Sequence, residues 1–525
     1  MEGVVVSARR DGANVAVSVV SDARGRYEFP ATHLTPGQYT VTVRAVGYDL
    51  VGPGSVDLAK GKPATRDLVL RKTSDLSAQL SSAEWAMSMP ADSQAVKDRV
   101  MYQGAGCHYC HSLRRVARSK YTAEQFIAVI NRMQQYYPDG TAAPDERRGA
   151  APVNSAAQTA AAQKSPHYRD PSRGVWAITK ADMAAFFAAV NLSGGRTSWP
   201  YELKTLPRPT GQATRVIVTE WDLPRRQSVP HDLDVDSRGT VWYTDESRGF
   251  VGKLEPGTSA FTEYPMPAVH DGDLQGTRDV QVDKDDNVWF VRRVAGGKTT
   301  LTKFDPKTQA LTSVEGAGSQ FLALGPGGKI WAGLARVDPK TAKIEATYDW
   351  KQATNLPPGP HGPYSDHAAI DSKGNPYVND YVGGGMFRID ATTGAVKHWA
   401  LPFAGAGPRR GRMDAQDRFW FGEYSGDKIG MFDTRTEQFR EWPAPHKYTN
   451  PYTASVPDRN GFVYSPSHMS ERVLRLDPRT GQIIEYQMPA QFDAKKIAFD
   501  PTSTRATLWM ANERTARIIR LEPLD

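Results

Sequence analysis

The stretch Asp236-Ser237-Arg238-Gly239-Thr240-Val241-Trp242-Tyr243-Thr244-Asp245 decides the reading of this chain, because its pattern returns through the C-terminal three fifths. A turn of Asp-x-x-Gly type leads into a short apolar strand carrying an aromatic residue. The aromatic marks Trp242, Trp289, Trp331, Tyr377, Trp420, Tyr464 and Trp509 stand 42 to 47 residues apart. After them come hairpins such as Arg388-Ile389-Asp390-Ala391-Thr392-Thr393-Gly394 and Arg475-Leu476-Asp477-Pro478-Arg479-Thr480-Gly481, then closing strands such as Thr262-Glu263-Tyr264-Pro265-Met266-Pro267. A period in the mid-forties with four short strands per unit is the sequence signature of a β-propeller. Seven marks predict seven blades over residues 215–525. The last unit stops at Arg517–Pro523, one strand short, and Val216–Leu223 supplies a strand that would close the ring and protect its edge.

Two further zones precede the repeat. Residues 1–72 carry alternating, β-branched runs (Val15–Val19, Tyr39–Val43) separated by turns at Asp22-Ala23-Arg24-Gly25 and Thr35-Pro36-Gly37-Gln38. Residues 75–205 shift to helix, with Thr122 and Thr179 as N-caps before apolar residues at helical spacing. An insert at about 139–170, rich in Ala, Pro and Gly in its first part, interrupts this zone, and Pro200–Gly211 reads as a linker. The fold class expected is therefore multidomain and mainly β: an N-terminal β-sandwich, an α-helical domain and a seven-bladed propeller.

Within the helical zone, Cys107-His108-Tyr109-Cys110-His111 holds the only two cysteines of the chain in C-x-x-C-H spacing. Two thiols so placed suit covalent haem attachment, with His111 as proximal iron ligand. A zinc site would want a second pair, and a thioredoxin-type pair would not require His111. The zone resembles a c-type cytochrome, which implies one covalent haem c. Met133, on the helix after the motif, is the first choice for the distal ligand, with His167, Met183 or an open position as alternatives.

The order Ser21–Phe29, Pro36-Gly37-Gln38-Tyr39 and Gly47-Tyr48 resembles the carboxypeptidase regulatory-like domain, whose members are generally structural or adhesive. The blade pattern resembles the virginiamycin B lyase (streptogramin lyase) family. That resemblance implies a metal-assisted general base opening a cyclic ester by elimination, and it does not fix the positions of the catalytic groups here.

Candidate site residues come from counting along the blades. Eleven residues before each mark lie His231, Arg278, Gln320, Asp366, Arg409 and Thr453; three after it lie Asp245, Arg292, Leu334, Asp380, Glu423, Ser467 and Asn512. Both sets are expected at one face of the propeller. Asp245, Asp380 and Glu423 suit a hard cation such as Mg or Ca, with His231 as ligand or base. Arg278, Arg292, Asp366, Arg409 and His468 would contact a small anionic or polar substrate, the arginines as carboxylate or phosphate binders.

At 525 residues and net charge +7, with no dense basic stripe and no run of about 18 apolar residues, the chain points away from nucleic acid and from a membrane-spanning helix. Haem attachment implies a periplasmic or otherwise exported protein whose signal peptide has been removed. The leading functional expectation is a haem c protein exchanging electrons with a redox partner, coupled to a propeller that binds substrate or partner. A metal-dependent carbon–oxygen lyase and a non-catalytic cytochrome scaffold are the alternatives.

Overall fold

The computed structural model describes residues 1–104, 112–133, 164–169, 178–246, 249–267, 276–294, 298–363, 367–403 and 405–524. Each aromatic mark but Tyr464, which lies on the first strand of the three-stranded sheet, lies on the second strand of a sheet, and in five of the seven units an acid stands six residues before the mark. Asp236 accepts hydrogen bonds from the backbone N–H groups of Arg238 and Thr240 (both 2.9 Å) and from Trp242 Nε1 (3.2 Å). Asp283 with Trp289, Asp414 with Trp420 and Asp458 with Tyr464 repeat the arrangement. One carboxylate thus satisfies the turn's backbone donors and fixes the aromatic ring, which packs between neighbouring blades.

Five four-stranded sheets and one three-stranded sheet follow in sequence, from Pro230–Val235 to Gln482–Gln487. The expectation of seven blades closed by 216–223 is corrected to six discrete blades. The strands Ala498–Phe499, Leu508–Asn512 and Arg517–Pro523 do not form a separate seventh. Val216–Asp222 pairs antiparallel with Arg517–Pro523, and its other edge pairs with Val15–Val20. The result is an eight-stranded sheet running from the propeller's last strands into the N-terminal domain. The physical reason is that Val216–Asp222 still offers an unpaired edge after joining the last strand, and the β-branched run Val15–Val20 takes it up.

This pairing also corrects the expected N-terminal β-sandwich. Val5–Arg10, Val15–Val20, Gly37–Arg44 and Gly54–Leu58 belong to the shared sheet, backed only by the two-stranded pair Tyr48–Leu50 and Leu70–Lys72. Arg9 ties the junction by an ion pair to Asp222 (2.6 Å).

The helical zone, residues 75–205, is described in part. Its described helices are Ser82–Ser88, Gln94–Asp98, Arg114–Ala117, Ala123–Met133 and Lys180–Val190, the longest of 11 residues. Their buried apolar residues form a cluster that continues into the blades. Trp85, Met101, Leu113, Phe126, Met183 and Phe187 share one apolar cluster with Tyr448 and Met469 of the propeller. Tyr102 donates to Asp427 (2.5 Å), pinning the segment to the fifth blade. The segment is a helical cap on the blades, and the expectation of an independent cytochrome domain is corrected accordingly. Among the described residues no helix is long and apolar enough to cross a membrane.

Candidate functional site

The innermost strands converge on a buried polar centre. Arg410, from the fifth blade, pairs with Asp232 of the first (2.8 Å) and Asp279 of the second (3.2 Å), and its guanidinium lies over the Phe321 ring. Lys496 adds a contact to Asp279 (3.5 Å). Desolvation on this scale is tolerated only because each charge meets an opposite one.

At the face where the inner strands begin, one connected set of ionisable side chains spans the first, second, sixth and last blade positions. Glu246 accepts from Arg278 (2.7 Å) and Arg293 (2.9 Å). His231, Glu246 and Glu513 each offer one ligand atom, all within 4.8 Å of one another. Lys495 reaches Glu513 (3.2 Å), Asp493 (2.9 Å) and His468 Nε2 (3.3 Å), and His468 Nε2 lies 2.8 Å from Asp493. Tyr452 stacks on the His468 ring at 4.5 Å, and Arg409 lies over Tyr452 and Tyr424. All these groups are buried.

Burial sets the protonation pattern. It holds the His468 imidazole down at about 3, against the opposing pull of Asp493, so the ring is neutral across the physiological range. Burial drives the Glu513 carboxyl well above the usual carboxylate range, assisted by the Asp493 and Glu246 charges and opposed by Lys495. Its Oε1 is buried with no hydrogen-bond partner. An imidazole, two carboxylates and an orphaned carboxylate oxygen suit a divalent cation, which would relieve the charge that disfavours the Glu513 anion.

Residues eleven before the marks enter this set directly: His231, Arg278 and Arg409 do so, and Arg278 also bonds Gln320. His468 belongs to it as well. Asp366 lies outside the described residues. Residues three after the marks turn elsewhere. Asp245 meets Arg225 (3.3 Å) and the Val229 N–H inside its blade. Arg292 donates to the Pro267 carbonyl. Asp380 meets His361 and His398. Glu423, pushed up to about 8 by burial and then by the neighbouring Glu441 carboxylate, is enclosed by Gly426 and Gly430.

The groups that the count missed lie one residue further on. Glu246, Arg293, Tyr381, Tyr424 and Glu513 all stand four after a mark, as does the expected His468. Strand side chains alternate between faces, so the third residue shares the face of the first, as Asp245 does with Tyr243, and the fourth emerges at the mouth. The acid-then-acid pair Asp245-Glu246 and the Asn512-Glu513 pair were the available sequence signal.

A cavity of about 1370 Å³ lies between the helical cap and the shared sheet, lined by apolar Val116, Ile130 and Phe187 and by Arg118, Arg132, Arg514 and Arg517. Met133 lines it, while Cys107, Cys110 and His111 lie outside the described residues. Arg514 also donates to the His468 carbonyl (3.0 Å), so cavity and mouth share a wall.

The fold and this centre define a β-propeller protein with a buried, cation-compatible site at the mouth. Residues 216–521 match the virginiamycin B lyase family, and residues 1–71 match the carboxypeptidase regulatory-like domain. The chain belongs to the virginiamycin B lyase family. It is 29% identical over 227 residues to a virginiamycin B lyase of Nocardia farcinica, covering 43% of this chain and 74% of that one. Virginiamycin B lyase of Staphylococcus aureus aligns with TM-score 0.48 and 19% identity, over 58% of this chain and 99% of its own. A catalytically inactive histidine-to-alanine variant of it with quinupristin aligns equally, at 20% identity.

These matches correct the functional expectation. Both matched families lie on either side of the segment read as a cytochrome, and neither is a cytochrome. The expectations of an oxidoreductase, of electron transfer and of haem c, attached at Cys107 and Cys110 with His111 and Met133 as iron ligands, are replaced by a lyase-family propeller with metal-compatible clusters.

Proposed function

We propose that this protein is a metal-assisted carbon–oxygen lyase opening a cyclic ester, of the streptogramin B type, by elimination at the propeller mouth. The observation that carries the reading is the connected buried set His468–Asp493–Lys495–Glu513 with His231 and Glu246, in a chain of this family. In such an elimination a base takes the proton from the carbon next to the one bearing the ester oxygen. The carbon–oxygen bond breaks, a carbon–carbon double bond forms, and the ring opens with a carboxylate as leaving group. His231, Glu246 and Glu513 would hold a divalent cation, which supplies polarisation of the ester carbonyl.

His468 is suited to act as the base. The tautomer with Nε2–H donating to Asp493 carries the lone pair on Nδ1. Stacking on Tyr452 holds the ring plane, and Asp493 stabilises the imidazolium formed when the proton arrives. Arg278, Arg293 and Lys495 offset the carboxylates at rest, and Arg409 brings further positive charge toward the leaving carboxylate. The carboxypeptidase regulatory-like match at 1–71, a module type generally structural or adhesive, supports placing the protein outside the cytoplasm.

The test is ring opening of a streptogramin B ester by the full-length protein, followed by chromatography. Activity that disappears with a chelator and returns with Mg(II) supports the reading. Turnover indifferent to metal removal contradicts it.

A further inference from the structure

The row of the propeller that runs from each second strand to its outer strand is built the same way in four sheets; the second and third blades carry Ser313 and Thr347 at its outer end, and the fourth a histidine. At the outer-strand position of this row stand Glu263, Glu441, Glu485 and Glu220. Each is paired with a cation: Arg225 (2.5 Å), Lys428 (2.6 Å), Arg472 (2.7 Å) and Arg517 (3.3 Å). In the fourth blade the same position, opposite Phe387, is His398. It faces Asp380 (Nε2 to Oδ2, 3.1 Å), and among the described residues the ion-pair partners of Asp380 are two histidines. The second is His361, whose Nδ1 lies 2.5 Å from the same oxygen.

The connection that brings His361 there is long. Residues 348–367 join the third blade to the fourth, whereas 315–321 and 401–407 serve the neighbouring blades. Asn355 anchors this connection on the His398 backbone, donating to its carbonyl (3.0 Å) and accepting from its N–H (3.3 Å). Gly383 and Gly385 make the room: a Cβ on the first would collide with Asp380 and His361, and one on the second with His398.

Proton bookkeeping at His361 asks for a positive charge. Its Nε2 lies 2.8 Å from the Pro357 carbonyl, an acceptor, and its Nδ1 faces the Asp380 carboxylate, another acceptor. A neutral imidazole has one N–H for the two. The other nitrogen must take a second proton or a metal ion. A backbone carbonyl on the far ring nitrogen is the usual outer partner of a metal-binding histidine.

We infer that His361, Asp380 and His398 form a second metal site, for zinc or a similar first-row divalent ion, that staples residues 348–363 to the fourth blade. The three ligand atoms lie within 4.8 Å of one another, and none belongs to the mouth set. Two imidazoles and a carboxylate suit zinc, with a fourth position for water. The Gly362 and Gly383 N–H groups hold the other Asp380 oxygen (2.8 and 2.9 Å) and so fix the carboxylate's direction.

The test uses full-length protein carrying Glu246→Gln and Glu513→Gln to weaken the mouth set, stripped with chelator and titrated with Co(II), then Zn(II). One equivalent of Co(II) with visible ligand-field absorption, displaced by zinc, is expected. His361→Gln or His398→Gln should weaken binding by more than about tenfold, and zinc should slow proteolysis within 348–363. No binding, or binding unchanged in both histidine variants, overturns the site and leaves His361 as a protonated partner of Asp380. Should the variants not fold, X-ray absorption on the zinc form decides: two imidazoles per zinc sustain the proposal, and one or none overturns it.

Discussion

Asp245, Asp380 and Glu423 stand three residues after their aromatic marks, and Glu246, His468 and Glu513 stand four after theirs. The first set turns into the blades, where Arg225, two histidines and Glu441 meet it. The second set converges on the mouth with His231, Lys495 and Asp493. Both sets are buried and acidic or imidazole in character, so composition does not separate them. One step of strand alternation does, because it decides whether a charge ends in a private pair or in a shared centre.

The strongest way to break this comparison is at His468. His468→Ala should lower the ring-opening rate by about 10²–10⁴-fold, the range of a lost general base. The wild-type pH–rate profile should show no inflection near 6.5 from this residue, whose imidazole stays neutral down to about 3. A variant that turns over normally would put the base elsewhere.

Next comes Glu423, which the comparison makes structural. Its carboxyl titrates at about 8 when folded, against 4.5 ordinarily. A raised acid gives full stability below 4.5 and loses it as pH rises toward 8. Glu423→Gln should therefore leave stability nearly unchanged at pH 4 and raise it by a few kcal/mol at pH 8 and above. Urea unfolding at both pH values reads this out; equal effects at the two would contradict the burial argument.

A smaller effect is expected at the turns. Asp236→Ala removes the acceptor for two backbone N–H groups and Trp242 Nε1, and should cost about 1–3 kcal/mol in the same assay. Smallest is Arg9→Ala at the junction with Asp222. That pair is partly exposed, so a loss below about 1 kcal/mol is expected.

Much of the propeller was legible because five of the seven aromatic marks (Trp242, Trp289, Tyr377, Trp420 and Tyr464) carry an acid six residues earlier and the turn leaves little choice of conformation. In the last unit the spacing widens, with Asp500 nine residues before Trp509 serving its Nε1 (3.1 Å), so the six-residue pattern fails there. The edge taken up by Val15–Val20 was not legible, since any β-branched run can pair with any free edge. Positions eleven before the marks could be read where the inner strand begins there, as it does at His231, Arg278 and Arg409. The mouth acids stand one residue beyond the counted positions, and the repeat gives His361 no position, because a long connection carries it to the fourth blade. The C-x-x-C-H spacing at Cys107 led the functional reading toward haem, while the family signal lay in the repeat.

The most direct test of the central claim compares Glu513→Gln with Glu423→Gln in ring opening of a streptogramin B ester with Mg(II) added. The account predicts that Glu513→Gln loses activity at least about tenfold, partly recovered at higher Mg(II), while Glu423→Gln keeps it. Equal losses, or a loss confined to Glu423→Gln, would contradict the placement of the chemistry at the mouth.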